Sequence, residues 1–357
     1  MASYTTQRMA FVFSMVSNAG SAATSDFAGA ITSKFNDVTQ TKYSSFIGTG
    51  WSIVWGPEVY VPNPSNPHAA NALLVVQGSD ASGSPLYIVA TAGTNGKSLL
   101  EEVIEDLDVA LVPFGPGGQI TLGTSDGVQI LMGLQSNNQT ISEFLANNAS
   151  SSAMLVFTGH SLGGALTPAL ALSIDTSGWG QVYAMPTAGP TPGDQTFVNA
   201  FTAKFPTPPN HTDPLSTWNC NIVNTLDLVP MAWTSLSGIL GLYPQIGSTT
   251  CLTNLVNAAA GIVPSPNPFT DLPQVPFDGT FAAPAVPECL LLQEATVQFL
   301  GEALYQHSTG YVQKLVGDFS SEFPGLVLQP GACGTLTNLC AAVSTDKAAP
   351  DGVKAKR

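Results

Sequence analysis

Phe157-Thr158-Gly159-His160-Ser161-Leu162-Gly163-Gly164-Ala165 is the stretch on which the reading of this chain turns. It contains G-x-S-x-G, the spacing of a sharp strand-to-helix turn that lifts a serine hydroxyl clear of a sheet. Ahead of it, Met154-Leu155-Val156-Phe157 is a short apolar run bounded by polar residues, the profile of a strand buried on both faces. Behind it, Ala165 to Ile174 is rich in Ala and Leu and predicts a helix. Gly159 and Gly163 stand where a side chain would collide with the reversed backbone, and Gly164 lets the helix lie close to the strand. With 34 glycines in 357 residues the five letters alone recur by chance. The strand before and the helix after are what single out Ser161 as the candidate nucleophile.

Length and composition bound what surrounds this turn. The chain is long enough for two domains, but large α/β folds hold this many residues around one core. A single domain over residues 1–357 is the preferred reading. Hydrophobic residues make up 44% and charged residues 10%, which excludes disorder and leaves Ser, Thr, Asn and Gln to wet the surface. The formal charge is -14, with basic residues clustered only in the tail Lys354-Ala355-Lys356-Arg357, so nucleic acid is excluded as a partner. No apolar run approaches the roughly 20 residues that span a bilayer. Met9 to Val16 after Arg8 reads either as a secretory leader or as a first helix packed on the core, and the second is preferred. Five cysteines lie between Cys220 and Cys340, an odd count that leaves one unpaired, and their spacing matches no zinc pattern. Cys333 and Cys340 are the expected disulfide, with Cys220 or Cys251 paired elsewhere. Low charge and the sequons at Asn138, Asn148 and Asn210 point to an extracellular protein.

Along the chain, Phe27, Ile31, Phe35 and Val38 mark an amphipathic helix within an N-terminal helical segment, residues 1–50. Trp51 to Trp55 reads as a strand, and Leu73 to Gln77 and Leu86 to Thr91 read as two more joined by a polar Gly/Ser hairpin loop. The last of these exits into Ala92-Gly93-Thr94. Acyl transfer builds negative charge on a carbonyl oxygen, and its donors commonly come from the residue after the nucleophile and from an early strand exit. Leu162 and Thr94 fit those two positions. Ser98 to Val112 predicts an acidic amphipathic helix, placed where a lid can sit. Helices are expected over 139–147, 195–205 and 290–304, and strands over 181–185 and 221–224. Strand, helix, strand, helix in succession predicts a largely parallel sheet flanked by helices. From Met231 to Pro287 the pieces are apolar and broken by proline, with no sheet periodicity, and read as an inserted cap or lid. Residues 316–357 form a C-terminal extension.

A serine needs a base, and the base an acid to orient it. Four histidines are available. His68 precedes the serine in a loop, and His160 adjoins it on a turn that sends its side chain elsewhere, where packing is the expected duty. His211 would draw on Asp175 or Asp194 from less suitable positions. His307 leaves room for Asp227, which follows the strand Asn221 to Asn224 at its exit, where such acids are presented. No histidine pair has metal-ligand spacing, and no cofactor is expected.

Four separate segments, Ala92-Gly93-Thr94, Gly159-His160-Ser161-Leu162-Gly163, Val223-Asn224-Thr225-Leu226-Asp227-Leu228-Val229-Pro230 and Tyr305-Gln306-His307, together resemble the fungal-type class-three lipases. Thr187 to Asp194, followed by Phe197, resembles that family's loop after the nucleophile helix. The resemblance spans about residues 70–315. It implies an α/β-hydrolase fold, Ser161, Asp227 and His307 as a catalytic triad, Thr94 and Leu162 as oxyanion donors, and lipid-type carboxylic esters met at a lipid–water interface as substrates. Two departures stand out: Ala92 replaces the arginine usual before the oxyanion glycine, and no tryptophan follows in the 98–112 segment. A broad carboxylesterase or acyltransferase with the same triad, and a non-catalytic lipid-binding relative, are the competing expectations.

Overall fold

The alternation of apolar runs and polar breaks resolves into one seven-stranded sheet. The computed structural model describes residues 4–23, 25–40, 44–62, 71–93, 109–208, 213–323, 325–328 and 332–345. Thr94, His68, His211, the segment 98–108 of the expected acidic helix, and the basic tail lie outside the described residues. The sheet strands are β1 (Ser52–Tyr60), β2 (Asn71–Ser79), β3 (Pro85–Thr91), β8 (Met154–His160), β9 (Gln181–Thr187), β10 (Asn221–Asn224) and β11 (Gln274–Phe277). Two small hairpins, β4 (Leu111–Pro113) with β5 (Gln119–Thr121) and β6 (Gln135–Ser136) with β7 (Gln139–Thr140), stand apart.

The spatial order is β1-β2-β3-β8-β9-β10-β11. β1, β2 and β3 run antiparallel to one another, and every pair from β3 to β11 is parallel. The register Thr91 with Gly159 brings the exit of β3 level with the turn at the end of β8. This is the mostly parallel α/β sheet expected from the sequence.

Both faces of the sheet are covered, which is why the central strands are apolar throughout rather than alternating. Leu74, Val76, Ile88, Ala90 and Val156 face a layer built from the helices Thr6–Ser17, Phe27–Gln40 and Thr309–Leu315. Leu73, Val75, Val89, Leu155 and Phe157 face the helices Leu122–Gly133, Ile141–Asn147, Leu162–Ser173 and Gln195–Lys204. The first helix is thus part of the core, with Phe11, Val12 and Phe13 fully buried.

The region from Met231 to Pro287 differs from its reading as a uniform cap. It returns to the sheet at Gln274–Phe277, which pairs with β10 as an edge strand. Four residues, one of them Pro276, give no period to read, and proline is tolerated at an edge because only one side needs ladder bonds. The rest of the region packs on itself and on the helix Glu294–His307: Trp233, Leu236, Tyr243, Leu252, Phe269, Phe299, Leu300 and Leu304 form a third buried cluster.

That cluster also corrects the disulfide pairing. The bonds are Cys251–Cys340 and Cys289–Cys333, with Cys220 free and buried. Cys333 and Cys340 both lie on the helix Ala332–Thr345. Seven helical residues separate their Cα atoms by about 10 Å, beyond disulfide reach. Their side chains share a face instead, and each binds a different partner, Cys289 and Cys251.

Candidate active site

Ser161 sits on the turn between β8 and the helix Leu162–Ser173, with φ 63° and ψ −129°, a conformation that a non-glycine residue adopts only when its surroundings enforce it. The enforcement is visible. Its N–H donates to the Thr187 carbonyl at 3.0 Å, and the Thr187 hydroxyl donates to the Gly159 carbonyl at 3.1 Å. A Cβ on Gly159 would stand 2.3 Å from the Gly163 oxygen, and one on Gly163 would stand 2.5 Å from the Thr91 oxygen, so the turn closes only with hydrogen at both positions. The Gly164 N–H donates to the Ser161 carbonyl at 2.8 Å, while the N–H groups of Leu162 and Gly163, at the start of the helix, have no preceding turn of the helix to bond to.

His307 closes the last turn of the helix Glu294–His307. Its Nε2 lies 2.8 Å from Ser161 Oγ and its Nδ1 lies 2.9 Å from Asp227 Oδ2. With a carboxylate on one side, the imidazole proton belongs on Nδ1, which leaves Nε2 to accept from the serine hydroxyl. All three side chains are buried, with residue exposures of 7% for Ser161, 2% for Asp227 and 1% for His307. Low local dielectric strengthens such a chain of hydrogen bonds.

Asp227 is held by more than His307. Its Oδ1 accepts from the Val229 N–H at 3.0 Å, and its Oδ2 also accepts from the Tyr311 hydroxyl at 3.0 Å. That hydroxyl in turn accepts from the Asn224 N–H at 2.8 Å, so one phenol ties the acid to the end of its own strand. Burial, reinforced by the Asp227 charge, holds the Tyr311 phenol well above its ordinary pKa, and the group is a fixed neutral donor. Tyr311 was not singled out from the sequence. The available signal was its place four residues after His307, one turn on along the chain.

A second buried network fixes the helix that carries His307. The Glu302 carboxylate, wholly buried, accepts from the N–H groups of Ala282 and Ala283 at 3.0 and 2.8 Å and from Gln306 Nε2 at 2.7 Å. Gln306 Oε1 accepts from Asn224 Nδ2 at 2.7 Å. The helix of His307 and the strand β10 are therefore bonded to each other through Gln306 and Asn224.

His160 is buried, as its packing role requires, but its ring is not directed away from the site. Its centroid lies 4.9 Å from that of His307 and 5.2 Å from that of Tyr311. Burial first, and the neighbouring His307 second, push its pKa well below the ordinary histidine value, so it stays neutral beside His307. Among the described residues no group of three or more His, Cys, Asp or Glu side chains is placed to hold a metal ion. Nor is any described helix long and apolar enough to cross a membrane.

A model of the class 3 lipase family matches residues 88–236, a span from β3 through the serine turn to just past Asp227. The crystal structure of M37 lipase superposes with a TM-score of 0.70 at 24% identity, covering 90% of this chain and 96% of that one, a likeness of fold. The Rhizomucor miehei lipase in its native propeptide complex gives 0.42 at 17% identity, covering 66% of each chain. The lipase of Rhizopus microsporus var. chinensis gives 0.40 at 13%, covering 63% of this chain and 68% of that one. No curated protein matches the chain.

Proposed function

We propose that this chain, which over residues 88–236 belongs to the class-3 lipase family of α/β hydrolases, hydrolyses carboxylic esters of lipids, triacylglycerols among them, through an acyl-enzyme on Ser161. The observation that carries the reading is the imidazole of His307 bridging Ser161 Oγ at 2.8 Å and Asp227 Oδ2 at 2.9 Å within a buried site. A serine at its free pKa attacks esters poorly, and this arrangement gives it a base already in reach.

In the proposed sequence Ser161 Oγ attacks the ester carbonyl while its proton passes to His307 Nε2. Asp227 and its partners stabilise the imidazolium that results. The tetrahedral intermediate expels the alcohol, which takes the proton from His307, and leaves an acyl ester on Ser161. Water then enters, gives a proton to His307, and the acid departs with the serine hydroxyl restored. Backbone donors at Leu162 and Thr94 are proposed to face the developing oxyanion. The lid is proposed to come from the segment 98–112 ahead of β4, which begins at Leu111, or from the part of 231–287 outside the sheet strand β11, within a single-domain chain. Two disulfides, the low charge and the sequons support secretion.

The test is hydrolysis of p-nitrophenyl and glycerol esters over a series of acyl lengths, above and below their solubility limits, together with fluorophosphonate labelling. Ser161→Ala should abolish labelling and lower kcat by about 10⁴-fold or more. Full activity in that variant would overturn the assignment. A maximum at short, soluble esters would make the enzyme a carboxylesterase rather than a lipase.

A further inference from the structure

β3 leaves the sheet between Ala92 and Gly93. The Ala92 N–H still belongs to the ladder, donating to the Ala72 carbonyl at 2.9 Å. The next N–H, that of Gly93, is turned out of the sheet and donates at 2.6 Å to the side-chain Oδ1 of Asn18, 75 residues earlier. Gly93 is also pressed onto the serine turn. A Cβ there would lie 2.5 Å from the His160 oxygen and 3.2 Å from Ser161 Cβ. Gly93 is thus held on one side by the turn and on the other by the Asn18 amide.

That amide is itself oriented. Asn18 follows the buried helix Thr6–Ser17 as its C-cap, and its Nδ2 donates to the Ser14 carbonyl at 3.1 Å. With the NH2 group on a carbonyl, the oxygen is the atom left to face Gly93. The helix beneath cannot drift, because Met9, Ala10, Phe11, Val12, Phe13 and Val16 are at most 4% exposed.

We propose that Asn18 is a positioning residue for the oxyanion side of the site, setting the plane of the Ala92–Gly93 peptide where it lies against the serine turn. This rests on the acyl-transfer reading. Oxyanion donors act by being aligned before charge develops, and an alignment error of about 1 Å lowers rate by about 10²-fold. With its N–H committed to Asn18, Gly93 is not itself an oxyanion donor. Asn18 reaches the site through the Gly93 N–H, as a positioning residue.

The experiment compares Asn18→Leu, which keeps the size and removes the acceptor, Asn18→Ala, and Asn18→Asp, which keeps an acceptor oxygen. Sites are counted by fluorophosphonate titration, and kcat and KM are measured per titrated site on a short soluble p-nitrophenyl ester. Leu and Ala should each lower kcat by about 10- to 100-fold, with KM within about twofold and the phosphonylation rate falling in parallel. Asp should lose less. If Asn18→Leu does not fold, Asn18→Ala decides. Per-site kcat within twofold of wild type in the Ala variant, or an equal loss in Asp and Ala, overturns the inference and leaves Asn18 as a strut for the N-terminal segment. Wild-type protein that takes up no fluorophosphonate at Ser161 instead overturns the hydrolase reading, so the two failures are distinct.

Discussion

Removing one oxygen from Tyr311 tests whether the acid is held as its geometry implies. Tyr311→Phe keeps the ring, which is wholly buried against Phe277 and His160 with centroids 5.2 Å away in each case. It deletes the donor to Asp227 Oδ2 and strands the buried Asn224 N–H without its acceptor. A hydrogen bond to a charged group contributes about 1.5–3 kcal/mol, and an orphaned buried donor costs about 1–3 kcal/mol. Because both effects flow from one hydroxyl, a combined loss of about 3 kcal/mol is expected. For a chain of this length that corresponds to a fall in Tm of roughly 4–8 °C. The activity should fall too, since Asp227 would keep only His307 and the Val229 N–H to orient it. A decrease in kcat of about 10-fold with KM little changed is the expected size for a loosened, still present, base–acid pair.

The same variant carries a pH signature that packing loss alone would not give. An unfolded tyrosine ionises near pH 10, whereas the folded Tyr311 phenol is held well above that by burial and by the Asp227 charge. Below that pH its stabilising contribution is complete. Above it the unfolded state sheds a proton that the folded state keeps, so stability falls as pH rises, by up to about 1.4 kcal/mol per pH unit for each such tyrosine. Tyr243 behaves alike, raised by burial first and then by the Asp227 and Glu302 charges. Wild type should therefore lose stability between pH 10 and 11 more steeply than Tyr311→Phe, by up to about 1.4 kcal/mol per pH unit. Denaturant melts across that range read the slope directly. Parallel slopes together with an unchanged Tm at pH 8 would refute the reasoning.

Two further outcomes are expected. His160 has a depressed pKa from burial and from His307, so its contribution to stability is complete above pH about 6.5 and is lost as pH falls from there toward its folded value. His160→Phe should flatten that acid limb in urea melts, and an unchanged limb would count against a neutral buried imidazole. The two disulfides close separations of 89 and 44 residues, for which the chain-entropy estimate gives about 4.6 and 4.0 kcal/mol. Cys251→Ser should therefore cost slightly more stability than Cys289→Ser, and calorimetry that ranks them in the opposite order by a wide margin would show that strain or residual structure dominates.

Much of the sheet was legible because its strands are long and their neighbours punctuate them. Met154 to Phe157 is continuous, flanked by Ser and Gly, and the Gly/Ser loop between β2 and β3 marks a hairpin. The helix Glu294–His307 was placed too early, over 290–304, because Leu290 and Leu291 look like core. They stand 89% and 80% exposed in the turn beside the Cys289 disulfide. β11 was invisible because four edge residues with a proline carry no period. The helix Leu122–Gly133 was missed because Gly123, Gly127 and Gly133 depress its propensity, and tertiary packing of Val128 and Leu131 overrides that deficit. At the site, the order Ser161, Asp227, His307 is a property of the chain, and the structure sets the three within hydrogen-bond reach. Asn18, Asn224 and Tyr311 find their partners far along the sequence, at the Gly93 N–H, the Gln306 amide and the Asp227 carboxylate, and no local pattern announces them.

The helix that carries His307 links two parts of the molecule that the sequence presents as separate. Its apolar side, Phe299, Leu300, Ala303 and Leu304, is buried in the third cluster with the 231–287 region, while its last residue reaches the sheet edge. Glu302 and Gln306 add polar ties from the same helix to the loop at Thr280 to Ala283 and to Asn224. The third cluster is in turn closed by both disulfides, which attach the helix Ala332–Thr345 to Cys251 and Cys289. A change that loosens this cluster must therefore reach the imidazole before it reaches Ser161, because the serine turn rests on β8, β9 and glycine contacts that the cluster does not share. Reduction of the disulfides should on this basis lower turnover while leaving the serine turn folded. The helix Ala332–Thr345 is thereby tied by both disulfides to the region that packs against the helix of His307.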